Sequence, residues 1–369
     1  MKICIVSDLY YPHPGGVSEH IYHTYCELKK LGHEVKILTA HYGRAKDERD
    51  VIKVGRGLLF PINKSFGSII IGTGVAAKVK YVIREGNFDV IHAHGPHAFL
   101  PCVAFKHSNS VNIMTFHASA PDRKWHRYFA RLIREYINKI DATIAVSNLA
   151  KETMTRHIPC ENTIIPNGVD TDRFSPSVKG YERFQDGKFN ILFIGRLEPR
   201  KGLKYLLQAF TIICKEIPDV RLIVVGKGPL ENYHKGFIKS KIRDKISFEG
   251  FVPADAVPRY YASCDVYCSP AIGRESFGIV LLEAMSSQKP IVASNIGGYR
   301  EVVKDGYDGI FVEPEDPKAL AFTIVKLLKD SNLREKLAKN GRQKALTYSW
   351  EKVTKDIVNF YQKILDKKR

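Results

Sequence analysis

Two glutamates separated by a short run of small and apolar residues are the densest concentration of chemistry in this chain. Glu275 and Glu283 flank Phe277, Gly278 and Ile279 within the stretch from Gly273 to Met285. That stretch follows the apolar run 265–270 and leads into strong helix formers, so its pattern predicts a strand, a turn and a helix over 277–287. Such a turn aims the N–H groups of Phe277, Gly278 and Ile279 outward, where they and the helix dipole attract an anion such as phosphate. Glu275 precedes the helix and Glu283 lies about two turns into it, so the carboxylates can bind separate parts of one elongated ligand. Carboxylates accept hydrogen bonds from hydroxyl groups, so a ligand carrying both phosphate and sugar hydroxyls fits the set.

A second basic motif runs from Gly195 to Gly202, after a strand at 190–194. Arg196 offers a bidentate fork and Lys201 a point charge, together suited to a diphosphate. The alternative is an ordinary solvated basic turn. Gly15 and Gly16, after the first strand, would let backbone approach a ligand closely. Gly226-Lys227-Gly228 lacks the third glycine of a dinucleotide fingerprint, which argues against an NAD enzyme. Asp170-Thr171-Asp172 spells a metal-binding pattern, but it lies in a turn-rich passage and reads as turn residues.

His92 and His94 share one face of a strand, with His97 just beyond, yet no carboxylate or cysteine nearby completes a metal set. Structural or substrate contact is the expected role. His117 ends another strand beside small residues that leave room for a ligand; the competing reading is a core histidine. Beyond it, Arg127, Arg131 and Arg134 recur at helical spacing among Trp125, Tyr128, Phe129 and Leu132. A basic amphipathic helix can lie on an anionic membrane, or simply pack its apolar face on a core. Lys78 and Lys80 belong to a second such segment, preceded by what reads as an apolar loop at 66–71.

The elements that must position these groups form an alternating series. Strands are expected at 2–7, 34–39, 90–93, 112–116 and 142–146, with helices at 17–31 and 124–138 between them. A second series has strands at 190–194, 220–225, 246–249, 266–268 and 291–294, with helices at 203–217 and 277–287. Short apolar strands alternating with helices imply an α/β fold with parallel sheets covered on both faces, and ligands bind outside the strands' carboxyl ends. The expected division is residues 1–170, completed by a C-terminal helix at 350–369, and residues 171–349, joined through the turn-rich passage 164–170.

The chain has 369 residues, enough for two domains, and no apolar run long enough to cross a bilayer. Its start reads as a strand and not as a signal peptide, so a cytoplasmic location is expected. Seven scattered cysteines read as reduced thiols. The 57 basic against 39 acidic residues leave a formal charge of +18, which calls for an anionic partner: nucleic acid, a membrane surface or a phosphorylated substrate.

Together these motifs resemble the retaining glycosyltransferases of the large GT4 family, which have the GT-B fold of two Rossmann-like doubly wound domains facing a central cleft. The resemblance rests on Glu275 with Glu283, on Gly15-Gly16, on Ile165 to Asp170, and on Arg196 with Lys201, and it spans essentially the whole chain. Within the family the chain is most similar to phosphatidylinositol α-mannosyltransferases, through Pro61 to Ser65, Thr115 to Ser119, Glu198 to Gly202 and Gly273 to Met285.

The resemblance implies that Glu283 binds the nucleotide ribose and Glu275 the donor sugar's hydroxyls. It implies that Arg196 and Lys201 neutralise the diphosphate, aided by Gly16 and the amides of Phe277, Gly278 and Ile279, without a metal or other cofactor. His117 would sit near the anomeric centre, Asn63 and Ser65 would meet a lipid head group, and Lys78, Lys80, Arg127 and Arg131 would contact membrane. The activity implied is transfer of mannose from GDP-mannose to an anionic phospholipid such as phosphatidylinositol, by an enzyme held peripherally on the inner face of the cell membrane. A nucleotide-sugar and a phospholipid are then the partners, and nucleic acid is not. The competing readings are a UDP-sugar enzyme with another acceptor, a sugar-nucleotide 2-epimerase, and a nucleic-acid or membrane-binding module. The last leaves the glutamates and the Arg196/Lys201 turn unexplained.

Overall fold

The computed structural model describes residues 1–12, 15–43, 48–62, 65–95, 98–117, 136–155, 160–238, 240–273 and 275–369, with backbone alone at 59–62, 65–67, 153, 154 and 240. The chain forms two compact units: Met1–Asn167 together with Trp350–Arg369, and Gly168–Ser349.

The first unit is built on an eight-stranded sheet of order β4-β3-β2-β1-β5-β6-β7-β8. Its strands are β1 (Lys2–Ser7), β2 (Glu34–His41), β3 (Val51–Ile62), β4 (Ser65–Ile71), β5 (Val90–His94), β6 (Val111–Phe116), β7 (Ala142–Ala145) and β8 (Glu161–Ile164). Its helices are α1 (Gly16–Lys30), α2 (Val75–Glu85), α3 (Phe99–His107) and α4 (Asn148–Thr155). The central strands are buried on both faces, as apolar runs in a two-sided parallel sheet must be. One face packs Ile3, Ile5 and Ile37 against Ile21 and Leu28 of α1 and against Trp350, Ile357 and Tyr361. The other packs Val6, Ile91 and Met114 under Val79 of α2 and Leu100 and Phe105 of α3.

The segment expected as an apolar loop at 66–71 is instead β4, antiparallel to β3. Ile69, Ile70 and Ile71 are β-branched and pair with Leu58, Gly57 and Arg56, which leaves Ile69 and Ile71 exposed while Ile70 packs on the core. Because β3 runs straight into β4 with no helix between them, this hairpin breaks the strand-helix alternation that marks the other strands.

The second unit has six parallel strands in the order β11-β10-β9-β12-β13-β14. They are β9 (Phe189–Ile194), β10 (Val220–Val225), β11 (Ile246–Gly250), β12 (Val266–Ser269), β13 (Ile291–Ser294) and β14 (Ile310–Val312). Helices α5 (Leu203–Glu216), α6 (Glu231–Phe237), α7 (Val257–Ser263), α8 (Ile279–Ser286), α9 (Gly297–Arg300), α10 (Pro317–Lys329) and α11 (Ser331–Ala345) follow in this unit. The chain then returns to the first unit as α12 (Trp350–Lys368). In each sheet the strand order reverses at one place, between β1 and β5 and between β9 and β12. Crevices at the carboxyl ends of such strands are where doubly wound sheets bind ligands.

Candidate active site

The loops after β9 and β12 lie at the switch point of the second unit, and they hold the glutamate and the cations. After β9 the chain makes a short 3-10 turn, Pro199–Lys201, closed by Gly202 in the left-handed region at φ 70°. A Cβ on Gly202 would stand 1.8 Å from the Pro270 carbonyl oxygen, so only glycine lets this turn press against the end of β12. Gly298 plays the same part on the other side: its Cβ would lie 1.9 Å from the Glu275 carbonyl oxygen. Gly298 thus packs directly against the Glu275 backbone, while Gly202 packs against Pro270 at the start of the same loop.

Lys201 Nζ and Arg200 Nη1 each lie 2.6 Å from Glu275 Oε1. Arg200 also places Nε 2.6 Å from Oε1 of the buried Glu198, and Arg196 Nε reaches the other oxygen of Glu198 at 3.9 Å. The predicted residues Lys201 and Glu275 therefore meet directly, and Arg196 joins them through Glu198. Sequence reasoning missed Arg200 and Glu198 as parts of the site, although both stand inside the quoted motif. Their pairing depends on a turn geometry that the letters alone do not carry.

The helix after β12 is shorter than predicted. It begins at Ile279, with Gly278 as a left-handed N-cap at φ 97°, so Phe277 and Gly278 precede it. Leu281 N–H bonds back to the Gly278 carbonyl at 2.9 Å, and the amides ahead of it open the helix. Glu283 sits on α8, where the Tyr261 hydroxyl donates to its Oε2 at 2.9 Å. Burial first, and then the charge of Glu283, push the Tyr261 phenol well above its ordinary range, so it remains a donor. Arg274 lies outside the described residues.

The Asp170 carboxylate accepts from the backbone N–H groups of Asp172 and Arg173 at 3.2 and 2.9 Å, a turn-forming use of the Asp-x-Asp pattern. A Cβ on Gly226 would lie 2.0 Å from the Gly195 carbonyl oxygen, so that glycine serves strand packing.

In the first unit, His117 follows β6 and meets an aromatic cluster that the sequence did not foretell. His94 Nδ1 and His117 Nε2 are 2.9 Å apart. His20, from α1, makes T-shaped contacts with His94, His117 and Trp350 at centroid distances of 5.3, 4.9 and 5.2 Å. His20 Nδ1 lies 3.0 Å from Asn167 Oδ1. His92 is enclosed by the Thr115 hydroxyl at 2.6 Å and the Tyr361 hydroxyl at 2.5 Å. Burial pushes His20 down to about 4 and His92 to about 3, and burial with neighbouring imidazoles holds His94 and His117 well below the usual range.

The strand histidines gain partners that the sequence reading did not group with them, although no carboxylate or cysteine joins the cluster among the described residues. His20, His94 and His117 offer ring nitrogens within 4.8 Å of one another. The set escaped sequence reasoning because its members come from α1, β5 and the end of β6, far apart in the chain. Gly15, at the N-cap of α1, has nothing within 4 Å of where a Cβ would stand, so the protein's own packing does not demand a glycine there.

Lys78 and Lys80 are exposed on α2, beside Tyr81, which is 67% exposed. Lys80, Arg84, Lys106 and Lys139 surround His107, whose pKa falls through burial and then their charges. Asn63, His97, Arg127, Arg131 and the predicted helix through residue 135 lie outside the described residues, as does the Ser65 side chain. Among the described residues no helix is long and apolar enough to cross a membrane. All seven cysteines are free thiols.

Two Rossmann-like sheets, with the charged and aromatic groups at their switch points, define the GT-B fold. The chain belongs to the GT4 glycosyltransferase family: residues 14–173 match Glycosyltransferase Family 4 and residues 177–344 match Glycosyl transferases group 1. It is 33% identical over 368 residues to a phosphatidyl-myo-inositol mannosyltransferase of Mycolicibacterium smegmatis, covering 99% of this chain and 94% of the relative. Among solved structures, a glycosyltransferase of Rickettsia africae aligns with TM-score 0.80 at 23% identity, covering 99% of both chains. Anabaena HepE in complex with UDP-glucose aligns with TM-score 0.78 at 21% identity, over 98% of this chain and 100% of that one.

Proposed function

We propose that this enzyme transfers mannose, with retention of the α configuration, from GDP-mannose to an anionic lipid such as phosphatidylinositol. The observation that carries the reading is the meeting of Lys201, Arg200 and Glu275 ahead of α8, in a chain whose relative over nearly its full length is a phosphatidyl-myo-inositol mannosyltransferase. Glu275 binds donor-sugar hydroxyls and Glu283 the ribose, while Arg196, Lys201, Gly15, Gly16 and the amides of Phe277, Gly278 and Ile279 receive the diphosphate.

The bond from the anomeric carbon to the diphosphate oxygen breaks, and the new bond forms to the acceptor hydroxyl oxygen on the same face. The departing phosphate takes the acceptor proton. Negative charge grows on the diphosphate, and cations with oriented amides placed in advance lower that barrier. Two cations and a helix start carry this charge without a divalent ion. His117 orients the reacting groups, Asn63 and Ser65 meet the acceptor head group, and Lys78, Lys80, Arg127 and Arg131 hold the enzyme peripherally on the inner membrane face.

The test is a panel of nucleotide sugars incubated with phosphatidylinositol vesicles, with EDTA present and absent, and products read by mass spectrometry. A mannosylated inositol lipid formed equally with EDTA supports the reading. Transfer from a UDP-sugar alone, or donor consumption without acceptor, overturns it.

A further inference from the structure

The structure assigns His94 and His20 as positioning residues that hold His117 in one tautomer, with the proton on Nδ1, so that His117 presents a hydrogen-bond donor to an oxygen of its ligand. This rests on the reading of His117 as a substrate-facing group. Proton accounting decides the tautomer. A neutral imidazole has one N–H and one bare nitrogen, and which is which follows from the partners.

His20 Nδ1 faces the side-chain oxygen of Asn167 at 3.0 Å, and an oxygen there accepts, so Nδ1 carries the proton. His20 Nε2 is then a bare lone pair, and it is buried with no partner among the described residues. His94 poses the same question. Its Nε2 is likewise buried and unpartnered among the described residues, while its Nδ1 shares one proton with His117 Nε2 at 2.9 Å. If His117 donated, His94 would keep its proton on Nε2, leaving a buried N–H with no acceptor. If His94 donates, the orphan is only a lone pair. Orphaned buried donors are rarer and costlier than under-used acceptors.

His94 therefore donates from Nδ1 to His117 Nε2, and His117 carries its own proton on Nδ1. Packing opposes an exchange of roles, because His20 makes T-shaped contacts with both rings while Trp350 and Asn167 flank His20 in turn. His94 is 1% exposed, whereas His117 is partly exposed and so is the member that can meet a ligand. A donor fixed in this way orients an oxygen and does not abstract a proton, consistent with a step in which the leaving phosphate takes it.

The alternative use of these rings is a metal site, since their nitrogens lie within 4.8 Å. It is disfavoured because the pair His94/His117 is already hydrogen-bonded and no carboxylate stands in that cluster.

The test is nitrogen-15 NMR of the full-length protein labelled at histidine, with His117 resonances assigned by their loss in His117→Ala. The expected wild-type pattern is a single neutral tautomer protonated at Nδ1. His94→Ala should give a mixed pattern and lower kcat about tenfold or more, with less change in donor KM, and His94→Asn, whose amide nitrogen stands near the former Nδ1, should recover most of both. A His117 proton on Nε2, an unaltered tautomer in His94→Ala, or stoichiometric metal in the purified protein by mass spectrometry overturns the proposal. The tautomer is read without substrate, so failure of mannosyl transfer in the wild type would sink the functional reading and leave this one to be judged separately.

Discussion

Lys201 Nζ stands 2.6 Å from Glu275 Oε1, an ion pair in which both side chains are largely covered, at 14% and 12% exposure. The pair joins the turn after β9 to the loop after β12, so the cation and the carboxylate of the proposed donor site are held by each other.

Removing either partner should therefore damage catalysis more than folding. Lys201→Ala leaves Glu275 still paired to Arg200, and Glu275→Ala leaves Arg200 still paired to Glu198. Loss of about a hundredfold or more in kcat, with melting temperature within a few degrees of wild type, is the expected outcome. Steady-state transfer assays beside thermal melts check it, and full activity in either variant would remove these residues from the site.

The glycines should separate support from ligand approach. Gly298→Ala places a Cβ against the Glu275 carbonyl oxygen, and Gly202→Ala adds the strain of φ 70° to a backbone collision. Each should cost roughly 2 kcal/mol or more in urea unfolding. Gly15→Ala meets nothing and should change stability by less than about 0.5 kcal/mol, yet weaken nucleotide-sugar binding, measured by calorimetry.

Nucleotide binding should show which base the second unit prefers. GDP at about a hundred times its Kd should stabilise the protein by about 2.7 kcal/mol, visible as a rise in melting temperature. A larger rise with UDP at equal concentration would redirect the donor assignment.

Acid should loosen the first unit through its histidines. His20 and His92 have folded values of about 4 and about 3, both below the unfolded value of 6.5. The fold therefore binds fewer protons than the unfolded chain, and the stability this represents is whole above pH 6.5 and lost as pH falls toward those values. For His20 alone the loss is roughly 3 kcal/mol. Buried Asp8 acts oppositely, since its folded value of about 6 lies above the ordinary 3.8, but His92, His94 and His117 share the direction of His20. Urea midpoints measured from pH 7.5 to 5 should fall, and His20→Gln should flatten the slope.

Membrane attachment should depend on the basic face of α2. Lys78→Glu with Lys80→Glu should reduce cosedimentation with anionic vesicles several-fold at low salt, each basic residue contributing about 1 kcal/mol near the surface. Equal binding by the double variant would place the attachment elsewhere.

The parallel strands were legible because apolar runs of strand length, punctuated by helix signals, have one economical arrangement: a sheet covered on both faces. Thus β1, β10 and β13 have the residues expected of them. The glutamates, Arg196 and Lys201 were legible because short motifs carry charge and turn chemistry together, whereas the helix after β12 starts two residues later than expected, at Ile279. The β3/β4 hairpin was not, since Ile69 to Ile71 pair with residues whose register no local pattern specifies. Nor was the role of Arg200, whose direction is set by a 3-10 turn pressed on Pro270 through Gly202. What the sequence by itself determined is the family, the two alternating series and the types of charge at the site. Only the tertiary structure decided which groups touch: it brought His20, His94 and His117 together from three separate elements and enclosed His20 and His94 away from water. The reason is that side-chain chemistry is local to the chain, whereas burial, and with it the tautomer and charge of an imidazole, belongs to whatever distant segments fold against it.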